Sequence, residues 1–306
     1  MRVGLIDVDS RNFPNLALMK ISAYHKKLND DVSMYMPIFD YDVIYMSKVF
    51  TFTKDIKCIR CNKIIKGGTG YDIKKKLPNE IDKMYPDYSL YNITDTAYGY
   101  LTRGCFRNCA FCIVSAKEGN KVLQEYKLSQ FWNGQKNIKL LDPNISGASN
   151  FIELINELAE TGAWIDFTQG LDLRLMTENK IEAIKKVKVK LIHFAWDKIE
   201  DADIIIEKLK LFINITKYHY SKISVYVLVN FNSTFEQDLY RIYKIRELGA
   251  NPFVMIYQKE KADRMYRHLQ RYVNGRAMFR SKNCKNFNEY MSFIKDKNIL
   301  KRGKLF

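Results

Sequence analysis

Between Thr94 and the mid-270s the chain repeatedly alternates short apolar runs with segments of helical period. The strand candidates are Ala97–Leu101, Ile138–Leu141, Trp164–Phe167, Leu191–Phe194, Ile223–Val229 and Phe253–Ile256. Between them the helical period is carried by Phe151–Glu160, Thr177–Val187, Asp201–Phe212 and Phe235–Leu248, the last stopped by Gly249. Strands separated by helices must run parallel, because each crossover returns the chain to the same end of the sheet. Six such units predict an α/β fold whose sheet is either open or curled into part of a barrel.

A smaller block precedes this one. Val3-Gly4-Leu5-Ile6 ends in Asp7 as a buried strand would, and Leu16, Met19 and Ala23 share one helix face. Val43-Ile44-Tyr45 and Ile64-Ile65 are further strands, the last running into the turn Gly67-Gly68-Thr69-Gly70. Pro78, Pro86 and Asp87 mark a linker. The organisation expected is therefore a Rossmann-like domain over 1–91, a core over 92–258 and a basic helical extension over 259–306. The tail is expected to carry a last helix over Asn288–Asp296. With 18 Phe and 20 Tyr in 306 residues the chain has ample surface to bury, which excludes disorder. No apolar run is long enough to span a bilayer, and the first residues do not resemble a signal peptide. No membrane partner and a cytoplasmic location are expected.

Six Cys in a reducing compartment are not a disulfide scaffold, so their grouping bears on chemistry. Three of them, Cys105, Cys109 and Cys112, stand at C-x3-C-x2-C directly after the first strand of the second block. Thiolates are the ligands that iron–sulfur clusters select. Three on one short loop can hold three irons of a [4Fe–4S] cluster and leave the fourth open. The other readings of the same residues are a zinc site with a fourth ligand from elsewhere, or a buried group of thiols.

Gly104-Cys105-x3-Cys109-Ala110-Phe111-Cys112 resembles the cluster motif of radical S-adenosylmethionine (radical SAM) enzymes. The likeness extends over roughly Thr94 to Gln258, since that family's core is a partial (βα)6 TIM-like barrel. The resemblance implies an enzyme whose [4Fe–4S] cluster, held by Cys105, Cys109 and Cys112, binds S-adenosylmethionine and splits it reductively. The 5′-deoxyadenosyl radical then abstracts hydrogen from a substrate. It also implies an electron donor such as flavodoxin or ferredoxin, and it makes Phe111, the aromatic before the last Cys, a cofactor-binding position.

In such a barrel the chemistry lies at the C-terminal strand ends. After the second strand stand Asp142 and Asn144, where the family often has a Gly-Gly-Glu type segment. This chain departs from that, and Asp-Pro-Asn is read either as a cofactor contact or as a turn. After the third, Gln169 is polar, and Arg174 is read as the partner of the cofactor carboxylate or of Asp172. His193 is read as a core residue, whereas Trp196 and Asp197 are expected to face the site. Asn230 is placed for a ribose hydroxyl, and Tyr257 for the adenine.

The first block resembles the cobalamin-binding domain that precedes the core in one branch of this family. The ligand motif Asp-x-His-x-x-Gly is absent, and His25 lies within the first helix. A degenerate domain without cobalamin is expected, and a cobalamin-dependent methylase is the corresponding alternative. Cys58 and Cys61 form a C-x2-C pair, read as half of a second metal site with Cys284 or as plain thiols. The four His are scattered.

Net charge is +16, of which +10 falls in the 48 residues from Lys259 onward. Arg264, Arg267 and Arg271 recur at helical spacing, followed by Arg276 and Arg280. This surface is read either as a phosphate-binding face, for a phosphate-bearing substrate or a nucleic acid, or as a solvated helix face. A metal-stabilised nucleic-acid-binding protein is the alternative to an enzyme.

Overall fold

The computed structural model describes residues 1–10 and 13–302, with side chains described up to 295. The chain divides into two compact units, Met1–Gln169 and Gly170–Phe306, and the division falls inside the span 92–258.

In the first unit, Val3, Leu5 and Ile6 form the buried run of β1 (Arg2–Asp7). α1 (Leu16–Lys27) follows, and the Asn15 side chain accepts from the Leu18 amide at 3.2 Å. That satisfies one of the amides left unpaired in a first helical turn. β2 (Asp31–Met34), β3 (Tyr41–Ser47) and β4 (Cys61–Gly67) complete a parallel sheet in the order β2-β1-β3-β4. Val3, Leu5 and Val43 pack on Leu18 and Ile21 of α1, while Ile6, Ile44 and Met46 gather with Tyr41 on the other face. A Cβ at Gly4 would stand 2.9 Å from both Tyr41 and Ile44, so glycine is what lets the Tyr41 ring lie against the strand.

The unit continues through α2 (Asn79–Asp82), β5 (Thr96–Gly99), β6 (Thr102–Arg103), α3 (Val114–Glu118) and β7 (Leu123–Gln124). It ends with β8 (Asn137–Leu140), α4 (Phe151–Glu160) and the start of β9 (Trp164–Leu171). β8 lies between β5 and β9, all parallel, with Ile138 beside Ala97 on one side and Ile165 on the other. The segment leading into β5 is tied to β1 and α1: the Tyr91 hydroxyl donates to Asp7 at 2.7 Å, and Lys20 pairs with Asp82 at 3.0 Å.

The second unit contains α5 (Glu178–Lys185), β10 (Lys188–Ala195), α6 (Ala202–Thr216), β11 (Ile223–Val229), α7 (Phe235–Glu247) and β12 (Asn251–Ile256). β10, β11 and β12 are parallel neighbours. α7 opens with a capping box in which Thr234 and Gln237 each satisfy the other's backbone amide. α8 (Arg264–Asn274) and α9 (Phe287–Arg302) close the chain.

The chain is thus a mixed α/β protein with parallel sheets, as the alternation implies. The Gly67–Gly70 segment does turn out of a strand, with Gly68 at φ +92°. The strands β2, β6 and β7 and the short helices α2 and α3 were not expected. β2 is half-exposed and presents no apolar run, and β6–β7 is an antiparallel pair of only two rungs. The first core strand ends at Gly99 rather than Leu101, because the Leu101 amide turns to the Asp142 carboxylate. No helix among the described residues is long and apolar enough to cross a membrane.

Candidate metal centre

The cysteine loop begins where β5 ends, and buried groups hold it there. The Asp142 carboxylate, buried just after β8, accepts from the amides of Leu101 and Thr102 and from the Thr102 hydroxyl at 2.7 Å. Burial pushes its acid up to about 6, with these hydrogen bonds pulling the other way. β6 and β7 then pair, Thr102 with Gln124 and Arg103 with Leu123, so residues 104–122 form a closed excursion. Gly104 turns the chain at φ +85°, where a Cβ would fall 2.0 Å from the Lys121 carbonyl oxygen. The Cys105 amide donates to the Gly119 carbonyl at 3.1 Å, and Arg103 pairs with Glu118 at 2.8 Å. The start and the end of the loop are therefore stitched to each other.

Within the excursion the Cys112 amide donates to the Cys109 carbonyl at 2.9 Å, and Ser115 donates to Asn108, which sits at φ +45°. Cys105 and Cys109 are half-buried and Cys112 is exposed; Phe111 is half-buried. Asn144, buried after β8, donates its amide to the Cys105 sulfur at 3.4 Å. Ser146 donates to the Asn144 oxygen at 2.8 Å, which fixes the amide with its N–H groups toward the thiol. The Phe106 ring rests on Gly147, where a Cβ would meet it at 2.7 Å. An open recess of about 900 Å³ borders the loop, lined in part by Phe106, Cys109, Cys112 and Ser115. On the far side Lys117 donates to the Thr69 hydroxyl at 2.8 Å, joining the loop to the glycine turn after β4.

Three thiols on one pinned excursion, one of them receiving an amide N–H, are the donor chemistry an iron–sulfur cluster requires. Among the described residues no three His, Cys, Asp or Glu side chains converge on a single ion.

Of the residues singled out in the sequence, the first unit places Asp142 and Asn144 against this loop. Gln169 ends that unit, exposed within β9. The second unit places the rest. The Arg174 guanidinium is engaged by two carboxylates, Asp172 at 2.8 Å and Asp201 at 2.8 Å. The Asn230 side chain, at φ +64°, donates to the Tyr257 carbonyl at 3.1 Å, so these two strand ends are brought together. The Tyr257 ring meets Phe231 edge-on at 4.8 Å. Trp196 was expected to face the site, but it is 1% exposed and its indole N–H donates to the Lys198 carbonyl. The strand-end position was right for a turn, and the large apolar ring went to the core.

Sequence reasoning missed Arg241. It is fully buried in α7, paired with Asp238 and donating to the Trp196 and Leu228 carbonyls at 2.6 and 2.8 Å. A lone Arg on an amphipathic helix gives no sign of this. Beside it the Asp197 carboxyl is pushed up to about 6 by burial, against the pull of Arg241.

His25 is buried with one ring nitrogen 2.8 Å from Asp30 and the other 3.0 Å from the Tyr45 hydroxyl. Cys58 is exposed, burial pushes the Cys61 thiol up, and the buried Cys284 thiol donates to the Asn286 carbonyl. On α8, Arg264, Arg267 and Arg271 are exposed, opposite the buried Leu269, Tyr272 and Val273. Arg280 is spent on the Ala250 carbonyl and the Asn251 side chain. The basic side chains of the tail beyond 295 lie outside the described residues. Compared with known proteins, the chain matches no family model and no curated protein.

Proposed function

We propose that this chain is a radical SAM enzyme, with Cys105, Cys109 and Cys112 holding a [4Fe–4S] cluster. The observation that carries the reading is the pinned loop: three thiols within eight residues, next to a recess, with the Cys105 sulfur accepting from Asn144. When bound, the cluster supplies the electron that splits the sulfonium of S-adenosylmethionine. The protein's own part is positional. Asp142 holds the root of the loop, Gly104 and Glu118 close it, and Asn144 orients toward one sulfur. A reaction that makes a carbon radical needs that rigidity, since the radical must be held near one C–H bond and away from water.

On this reading the parallel strands belong to a partial (βα)6 barrel, and the β2-β1-β3-β4 sheet is a Rossmann-like, degenerate cobalamin-type domain. Phe111, Gln169, Asn230 and Tyr257 remain the proposed cofactor contacts. Arg174 remains one too, although the structure gives its guanidinium to Asp172 and Asp201. A small reductant protein such as flavodoxin or ferredoxin supplies the electron, in the cytoplasm. Anaerobic reconstitution with iron and sulfide tests the reading. The expected result is a brown protein that forms 5′-deoxyadenosine with dithionite and S-adenosylmethionine. A colourless protein that retains zinc and forms none contradicts it.

A further inference from the structure

Five large apolar side chains are exposed in one stretch of the first unit: Val49, Phe50, Phe52, Ile56 and Ile64. Single exposed apolar residues are ordinary, whereas grouped ones mark contact surfaces. Phe50 and Phe52 are 48% and 68% exposed, and their rings stack on each other at 5.3 Å with planes 21° apart.

The loop carrying them is held firmly. The Asp9 carboxylate accepts from the Val49 amide at 2.8 Å and the Phe50 amide at 2.9 Å. Lys48, itself buried, donates to the Thr53 carbonyl at 3.2 Å and pairs with Asp55 at 2.9 Å. The Gly70 amide donates to the Lys48 carbonyl at 2.9 Å, and Gly68 packs so closely that a Cβ would lie 2.4 Å from that oxygen. The two rings are thus presented to solvent by a fixed backbone, which lowers the entropy lost when a partner binds.

The surroundings are basic. Residues 48–76 hold nine Lys/Arg and two Asp. Hydrogen bonds from Lys66, Lys48 and the Tyr71 hydroxyl hold the Asp55 acid far below the usual carboxylate range, so its charge is already answered. Lys54, Lys57 and Lys63 are exposed. The register Met46 with Lys66 and Ser47 with Gly67 sets this end of β4 beside the root of the loop.

We propose that this face binds single-stranded nucleic acid, with bases stacking on Phe50 and Phe52 and phosphates meeting Lys54 and Lys57. Flat rings within a field of cations match the two requirements of single-strand binding, a π-surface and a basic track. A second copy of this chain fits less well, because two faces of this charge would repel. The arginine face of α8 supplies cations but keeps Tyr272 buried, so it lacks an exposed ring pair. The inference is independent of the chemistry assigned to the cysteine loop.

The test is fluorescence anisotropy of the full chain with a labelled oligothymidylate of about 12 nucleotides. Binding should weaken steeply with salt. Removing one ring, Phe50→Ala or Phe52→Ala, should weaken it by about 5- to 150-fold. Phe50→Leu/Phe52→Leu, which keeps apolar area without a ring face, should lose as much, with an unchanged circular dichroism spectrum. Lys54→Glu/Lys57→Glu should reduce the salt slope. Four results overturn the proposal: no binding by the parent chain, leucine variants that bind like the parent, binding lost only on Arg264→Glu/Arg267→Glu, or a patch engaged only by phosphatidylserine vesicles or by self-association in sedimentation.

Discussion

The amide of Asn144 donates to the sulfur of Cys105 at 3.4 Å, and Ser146 sets the direction of that bond from behind. With the proposed cluster bound, this strand end would act on its electronics as well as on the loop's position, since hydrogen bonds to sulfur tune a cluster's potential. Asn144→Ala should still take up iron and sulfide. Its midpoint potential should fall by about 40 mV, the one-electron equivalent of a hydrogen bond worth ~1 kcal/mol. Spectroelectrochemical titration reads this, and an unchanged potential would remove Asn144 from the site.

Gly104→Ala puts a methyl group where the Lys121 carbonyl oxygen stands, at a φ of +85°. Strain at such positions costs on the order of 1–3 kcal/mol. Because the excursion leaves and re-enters through β6 and β7, the expected damage is local. Iron per chain after reconstitution should drop several-fold while far-UV circular dichroism is kept.

Asp142 makes stability depend on pH. Its acid is raised from 3.8 to about 6 by burial, so the folded state holds a proton that the unfolded state gives up. The stability tied to that proton is present below about pH 4 and lost as pH rises through about 6, amounting to roughly 3 kcal/mol for two pH units. Asp142→Asn cannot ionise, and it turns a donor toward the Leu101 or Thr102 amide. It should be less stable by about 1–3 kcal/mol at pH 7. The parent's margin over it should be larger at pH 4.5, as measured by urea unfolding. A margin that grows toward pH 7 would refute this sign.

Arg241 and Asp238 form a buried ion pair. Removing one partner strands the other charge, so Arg241→Ala should cost about 3–5 kcal/mol in urea unfolding. A cost below about 1 kcal/mol would mean that water reaches Asp238.

Much of the framework was legible because buried parallel strands are written as apolar runs. Ile223–Val229 and Phe151–Glu160 are elements with the bounds their patterns imply. β2 was not legible, since a half-exposed edge strand carries no such run. At the site, Cys105, Cys109 and Cys112 declare themselves by spacing, and Asp172 is a near neighbour of Arg174 in the chain, whereas the second partner of Arg174 does not declare itself. Asp201 stands 27 residues away and reaches it only once the chain has folded. For the same reason the sequence could not say that Asn144 faces a sulfur, or that Trp196 turns inward.

The most direct test of the central claim is electron paramagnetic resonance of the anaerobically reconstituted, dithionite-reduced protein, recorded with and without S-adenosylmethionine. The account predicts the signal of a reduced [4Fe–4S] cluster that changes when S-adenosylmethionine is added, and loss of that signal in Cys109→Ala. A cluster signal indifferent to S-adenosylmethionine, or one that survives Cys109→Ala unchanged, would contradict it.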